Sequence, residues 1–302
     1  MMQSEKKSEF QLFLENHQDK NVYFEPLDGN HGDTLILMGA KHVLQKARIR
    51  LTEQAKKASL IVINGSGGMN DIWMGGLEKL KYYRKTYPDT PLVVGPSSYR
   101  FENFDFNPIC KISQAPLTLF AREHFSEELL RRICMPAYVT IKVSPDLAFE
   151  LCDTKFMADL KANCRAEHML IAMRKDREGS AGILAKTRIW LPGKLRRPLS
   201  KIRDRLVAFK SQDVIAEIMR QEQCPQDVPK IYRDVSSSLS FDEFLSVICR
   251  SAFTITDRLH VGILSHLLNK RVILRPGIYH KIRGVYEMSL SGPNSHTILW
   301  SK

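Results

Sequence analysis

The stretch Ala252-Phe-Thr-Ile-Thr-Asp-Arg-Leu-His-Val-Gly-Ile-Leu-Ser-His-Leu-Leu-Asn-Lys-Arg-Val-Ile-Leu274 constrains the fold of this chain more than any other. Two short apolar runs flank a segment with helical spacing, so the pattern predicts strand, sharp turn, helix and strand. Its polar residues concentrate at Asp257-Arg258-Leu259-His260. With residues 252–256 as a buried strand and a helix starting near Arg258, the guanidinium and the imidazole stand where helix amides are unpaired. The aligned peptide dipoles place about half a positive charge there. An arginine at that point adds bidentate recognition of phosphate or carboxylate, and a histidine beside a bound anion can move protons near neutral pH. Taken alone, the motif also fits an Asp257 N-cap with Arg258 and His260 on a solvated first turn.

The rest of the chain repeats the alternation. A polar helix over 5–16 leads to an extended run at 21–27, a turn-rich loop at 28–33 and a helix over 34–46. Leu60-Ile-Val-Ile63 reads as a buried strand, followed by the loop 64–71 and a helix to about Thr86. Further strands are expected at 91–95, 117–121 and 138–143, with an amphipathic helix over 126–133. Residues 152–167 turn polar and helical, and strand character restarts at His168-Met-Leu-Ile-Ala-Met173. Residues 200–222 read as one or two helices, and Ser240-Phe-Asp-Glu243 has the form of a capping box launching a helix to about Arg250. Alternating short apolar runs and helices imply a mainly parallel sheet covered on both faces. With 302 residues, 43% hydrophobic, the chain can bury two cores. The expected fold class is α/β, two Rossmann-like doubly wound domains facing a cleft. Their bounds are residues 1–152 and 168–302, joined by a linker at 153–167, with the last helix packing back on the first domain.

Composition excludes several function classes. No apolar run approaches the ~20 residues that span a bilayer, and Met1-Met-Gln-Ser-Glu-Lys-Lys7 lacks the apolar core of a secretory signal, so a cytoplasmic location is expected. The six cysteines lie scattered, without a Cys-x-x-Cys pair or a histidine at metal-ligand spacing, so neither a disulfide framework nor a metal site is expected. The 45 Lys and Arg against 33 Asp and Glu give a formal charge of +12, which suits anionic substrates, polyanions and acidic membranes. No interleaved aromatics or binding signature accompany that charge, so nucleic acid is not an expected partner.

Chemistry-bearing residues recur at the ends of expected strands. Asn30-His31-Gly32-Asp33 and Asn64-Gly65-Ser66-Gly67-Gly68 are loops whose glycines let backbone approach a ligand and permit positive φ. Asp33 could equally cap its helix. Neither loop has dinucleotide or P-loop spacing, which argues against a nicotinamide enzyme or an ATPase. Arg122 and Arg174 each end an apolar run with Glu123 and Asp176 close by, either as surface ion pairs or, with Arg258, as a clamp for a compact, multiply charged anion.

Together the fragments Gly-Asn-His-Gly-Asp (29–33), Gly-Ser-Gly-Gly (65–68), Ala-Arg-Glu-His-Phe-Ser (121–126), Pro-Asp-Leu-Ala-Phe (145–149), Arg-Lys-Asp (174–176), Thr-Asp-Arg-Leu-His (256–260) and His-Lys-Ile-Arg-Gly (280–284) resemble the polysaccharide pyruvyl transferase family in order and spacing. The resemblance implies a glycosyltransferase-B-like architecture. It implies transfer of the pyruvyl group of phosphoenolpyruvate to a sugar of a cell-surface polysaccharide or lipid-linked glycan precursor, as a ketal, with release of phosphate and no cofactor. By the same resemblance Arg258 and His260 are catalytic. Arg258, Arg174, Arg122 and Lys281 bind the donor, and Asn30, His31, Gly32, Asp33, Gly67 and Gly68 lie on the acceptor side. The chain departs from the family pattern in two places: Ser66 interrupts a glycine stretch, and little sequence separates the first helix from Leu60, which implies a shortened strand–helix unit.

One basic segment stands apart. Residues 190–210 carry Lys194, Arg196, Arg197, Lys201, Arg203, Arg205 and Lys210 against the single acid Asp204, interleaved with apolar side chains. Such a segment is either a solvated helix on the second domain or a surface that meets anionic lipid at the inner face of a membrane, which would suit a lipid-linked acceptor. Two rivals share the fold: a nucleotide-sugar glycosyltransferase, and a glycan- or anion-binding protein without chemistry.

Overall fold

Strands that are apolar on both sides need cover on both faces of their sheet, and this chain supplies it in two compact units. In the computed structural model, which describes residues 7–133, 136–174, 212–225, 227–235 and 239–300, one unit comprises residues 1–163 with 283–293. The other comprises 164–282 with 294–302.

The first unit begins with α1 (Glu9–Glu15), capped by the Ser8 side chain, and β1 (Asn21–Glu25). Next comes α2 (His31–Lys46), which starts three residues before the expected Thr34 because Asn30 and Asp33 form a reciprocal capping box. The shortened unit is the two-residue strand β2 (Arg50–Leu51) followed by a single 3₁₀ turn at Ala55–Lys57. The series continues through β3 (Leu60–Ile63), β4 (Met69–Asn70), α3 (Gly75–Thr86), β5 (Leu92–Ser97) and β6 (Tyr99–Arg100). It ends with α4 (Asn107–Cys110), β7 (Leu117–Ala121), α5 (His124–Arg132), β8 (Val139–Val143), a 3₁₀ turn at Leu147–Leu151 and α6 (Lys155–Ala162).

Six strands form one parallel sheet in the order β2-β1-β3-β5-β7-β8, and β4 and β6 pair separately. Alternation along β3 splits the core. Ile61 and Ile63 pack with Leu77 and Leu80 of α3, while Leu60 and Val62 pack with Ile36, Ala40 and Val43 of α2.

The second unit is smaller and follows the same plan. It contains β9 (His168–Ala172), α7 over 212–221, β10 (Lys230–Tyr232), α8 (Phe241–Cys249), β11 (Ser251–Thr256), α9 (Leu259–Leu267), β12 (Arg271–Leu274), α10 (Lys281–Val285), which runs into the first unit, and β13 (Thr297–Leu299). The sheet order is β10-β9-β11-β12-β13, again all parallel. Phe253 and Ile255 of β11 meet Ile215, Ile218 and Met219 of α7, and Thr254 on the opposite face meets Ser265 of α9 through their hydroxyls (3.2 Å). Ser240 and Glu243 form the expected capping box of α8. The basic segment 190–210 and Asp176 lie outside the described residues.

Counted in chain order within each unit, both sheets begin 2-1-3, the flavodoxin-like order. The winding therefore reverses between β1 and β3 in the first unit and between β9 and β11 in the second. In open parallel sheets, ligands settle at the carboxyl ends of the strands at such a reversal.

Candidate functional site

At the reversal in the second unit, β9 ends before Met173-Arg174 and β11 before Asp257-Arg258. Thr256 joins the two strand ends: its hydroxyl donates to the Ala172 carbonyl (2.7 Å) and accepts the Arg258 amide (2.9 Å). Asp257 is 1% exposed and its Oδ1 accepts the Arg174 amide at 2.6 Å. This corrects the capping alternative. Arg258 itself occupies the N-cap position of α9 in extended conformation with no side-chain cap, and Asp257 ties the two loops together. Burial pushes the Asp257 carboxyl above its ordinary range, against the Arg174 amide and the charges of Arg174, Arg275 and Arg258.

The Arg258 guanidinium is 7% exposed and held as a fork: Nε and Nη2 donate to Asp234 Oδ1 and Oδ2 at 2.9 and 2.6 Å. Asp234 lies just past β10, the strand beside β9, so three neighbouring strand ends contribute. His260 follows on the first turn of α9, half-buried, one turn position from the helix's unpaired amides. Arg275 adds a fourth strand end. It follows β12, its amide donates to the Thr256 carbonyl (2.9 Å), and its side chain is half-buried. Lys281 opens α10, 8% exposed, with its ammonium 5.2 Å from the Tyr279 ring centroid. The second unit thus gathers Arg174, Arg258 and Arg275 about one buried aspartate, with His260 beside them.

The first unit has its own carboxyl edge. Asn30 caps α2 by accepting the Gly32 amide (2.8 Å), and Asp33 accepts the Asn30 amide (2.9 Å), so Asp33 is a helix cap, as its alternative reading had it. His31 is the first residue of α2 and half-buried. The glycine loop is folded by the serine that interrupts it: the Ser66 hydroxyl accepts the Gly68 amide (2.6 Å), and the Ser66 amide donates to Ser97 Oγ (3.0 Å). The Gly67 carbonyl accepts from the Asn70 side chain. None of the described glycines uses the positive φ that glycine permits. Gly65 serves close approach instead, since a Cβ there would come within 2.4 Å of the Pro96 carbonyl oxygen.

Arg122 requires a second correction. It forms no surface pair with Glu123, which caps α5. Its guanidinium is fully enclosed, donating to Asp146 Oδ2 (2.5 Å) and Ser98 Oγ (2.9 Å). Nε and Nη1 are taken by Ser98 and Asp146, Nη2 has no hydrogen-bond partner among the described residues, and the side chain is 0% exposed. The surface-pair reading therefore fails, and a donor reaches this guanidinium only if the enclosure opens.

Two polar features on these edges, Asp234 and Glu25, escaped the sequence, which shows Asn64 only as the start of its glycine loop. Asp234 follows a three-residue strand with no hydrophobic signature. Asn64, 1% exposed at the end of β3, has neither amide atom partnered among the described residues. Glu25 at the end of β1 accepts hydrogen bonds from Tyr23 (3.0 Å) and Tyr83 and pairs with Lys79 (2.5 Å). Arg275, by contrast, carried the signal that singled out Arg122 and Arg174, a cation closing an apolar run.

Comparisons with known proteins now bear on this arrangement. The family model described as polysaccharide pyruvyl transferase matches residues 13–275. No curated protein matches the chain. Among solved structures, a functionally uncharacterized protein from Klebsiella pneumoniae subsp. pneumoniae shares the fold over 97% of either chain, with a TM-score of 0.65 at 16% identity.

Proposed function

The chain belongs to the polysaccharide pyruvyl transferase family, and from that premise we propose that it moves the pyruvyl group of phosphoenolpyruvate onto a sugar of a cell-surface glycan or its lipid-linked precursor. The observation that carries the reading is the set of cations at the β9/β11 reversal with a histidine on the next helical turn. Phosphoenolpyruvate brings a carboxylate and a phosphate, and Arg258, Arg174 and Lys281 are the groups assigned to hold them. His260 acts as general acid and base. It delivers a proton to the enol methylene, which makes the substituted carbon electrophilic. A sugar hydroxyl attacks that carbon and returns its proton to His260, the C–O bond to phosphate breaks, and a second hydroxyl closes the ketal as its proton passes to the departing phosphate. One phosphate is released for each pyruvyl group retained.

The reading assigns the donor to the second unit and the acceptor to the first, the division of labour of a glycosyltransferase-B-like enzyme. His31, beside the capped start of α2, the Gly67-Gly68 loop and the unpartnered Asn64 amide are its acceptor-side groups. An unpaired buried amide costs about 1–3 kcal/mol, which a sugar hydroxyl bound there would recover.

Phosphoenolpyruvate labelled in its pyruvyl carbons, incubated with glycan precursors, tests the reading. Label retained in carbohydrate in equal amount to phosphate released is the expected result, and transfer from a nucleotide sugar instead would overturn it. General acid–base help is typically worth ~10²–10⁴-fold, so His260→Ala with near wild-type turnover would remove that residue from the scheme. Among the described residues no helix is long and apolar enough to cross a membrane. The reading places the enzyme in the cytoplasm, with residues 190–210 meeting anionic lipid. Flotation on vesicles containing anionic lipid, weakened by salt, is the expected behaviour.

A further inference from the structure

Arg258 is the obvious donor ligand, yet its fork is already bound to a carboxylate: Nε and Nη2 each donate to an oxygen of Asp234. Arg174 is also engaged, through its amide, by Asp257. Arg275 differs. Its backbone is fixed by the Thr256 carbonyl at 2.9 Å, which sets the residue beside Asp257 at the same sheet edge. Its side chain is half-buried and makes no hydrogen bond or ion pair among the described residues. Burial lowers its guanidinium from the ordinary range while Asp257 raises it.

A guanidinium taken partly out of water without a hydrogen-bond partner among the described residues forfeits solvation that the nearby Asp257 charge returns only in part. A bound anion would return it, and a planar fork suits a phosphate or carboxylate. Of the two charged groups of phosphoenolpyruvate, the phosphate carries more charge and gains most from the cation least neutralised by the chain. Arg258 faces Asp234 directly, and Asp257 is shared among three arginines.

Resting on the donor reading above, we infer that Arg275 is the phosphate-binding residue of the donor site, while Arg258, oriented by Asp234, serves the carboxylate end and the reacting carbon. Arg275 is the last residue of the family match and lies outside the short motifs that carried the resemblance, so the assignment rests on this chain's own geometry.

Equilibrium dialysis of the full chain with phosphoenolpyruvate, inorganic phosphate and pyruvate, each used as a separate probe, tests the inference. Charge-assisted hydrogen bonds predict that Arg275→Gln weakens phosphoenolpyruvate and inorganic phosphate by roughly ten- to a hundredfold and leaves pyruvate unchanged. Arg275→Lys should recover part of that loss by keeping the charge without the fork. Thermal unfolding of both variants should stay near wild type, because no side-chain hydrogen bond is broken. Unchanged affinity for both phosphate-bearing probes in Arg275→Gln overturns the assignment alone. So does a fall in melting temperature in which all three probes weaken alike, since that marks a structural role. A wild-type protein that binds none of the three overturns the donor reading and the assignment with it.

Discussion

Arg122 and Arg258 close apolar runs at the carboxyl ends of their sheets, and enclosure separates their roles. Arg122 and Asp146 are both 0% exposed at the side chain, whereas Arg258 and Asp234 are 8% and 15% exposed at the edge of their unit. A fully enclosed pair exposes the chain to the cost of a bare charge. Asp146→Ala should therefore destabilise by about 3–5 kcal/mol in urea, while Arg122→Met with Asp146→Leu should recover most of that loss. A single substitution costing no more than a surface pair, under about 1 kcal/mol, would contradict the enclosure argument. The sequence shows a cation after a strand and cannot show which carboxylate will meet it, because Asp146 and Asp234 lie 24 residues from their partners. Thr-Asp-Arg-Leu-His was legible because its strand and helix are both strongly apolar. The partner that orients Arg258 was not, because β10 is too short to read.

The elements divide in the same way. Strands β3, β7 and β12 fall where apolar runs predicted them, and β1, β5, β8, β9 and β11 differ from expectation only at their ends. β2, β4, β6, β10 and β13 are two or three residues long and owe their conformation to a neighbouring strand rather than to their own pattern. Close packing between elements is equally silent in one sequence. A Cβ on Gly39 of α2 would lie 1.8 Å from the Leu147 carbonyl oxygen, and one on Gly262 of α9 would lie 2.4 Å from Leu274 Cδ2. Backbone cannot step aside as a leucine methyl can. Gly39→Ala should thus cost the upper end of the ~1–3 kcal/mol typical of overpacking, and Gly262→Ala less, by chemical denaturation.

The tie between β1 and α3 is titratable. Burial raises the Glu25 carboxyl, but Lys79 and the two tyrosines outweigh it and leave it below its ordinary 4.5. A lowered carboxyl contributes stability above 4.5 that is lost as pH falls through the folded-state value. Glu25→Gln should accordingly flatten the acid limb of the stability curve below that pH. A limb of unchanged steepness would mean that other carboxylates govern it.

At the scale of the molecule, the fold was legible as two α/β units because length, apolar content and alternation agree. The strand order within each sheet was not legible, and it is the order that sets the reversal points where Arg174 and Arg258, or the Asn30 and Asn64 loops, emerge. The formal charge of +12 suits a phosphorylated donor and an anionic surface without choosing between them. The measurement that bears most directly on the central claim is a calorimetric titration of the full chain with phosphoenolpyruvate, beside a uridine diphosphate sugar and an Arg258→Lys variant. Saturable binding of phosphoenolpyruvate, weakened about tenfold or more when the fork is lost, with no heat from the nucleotide sugar, is the predicted result; binding of the nucleotide sugar alone would contradict it.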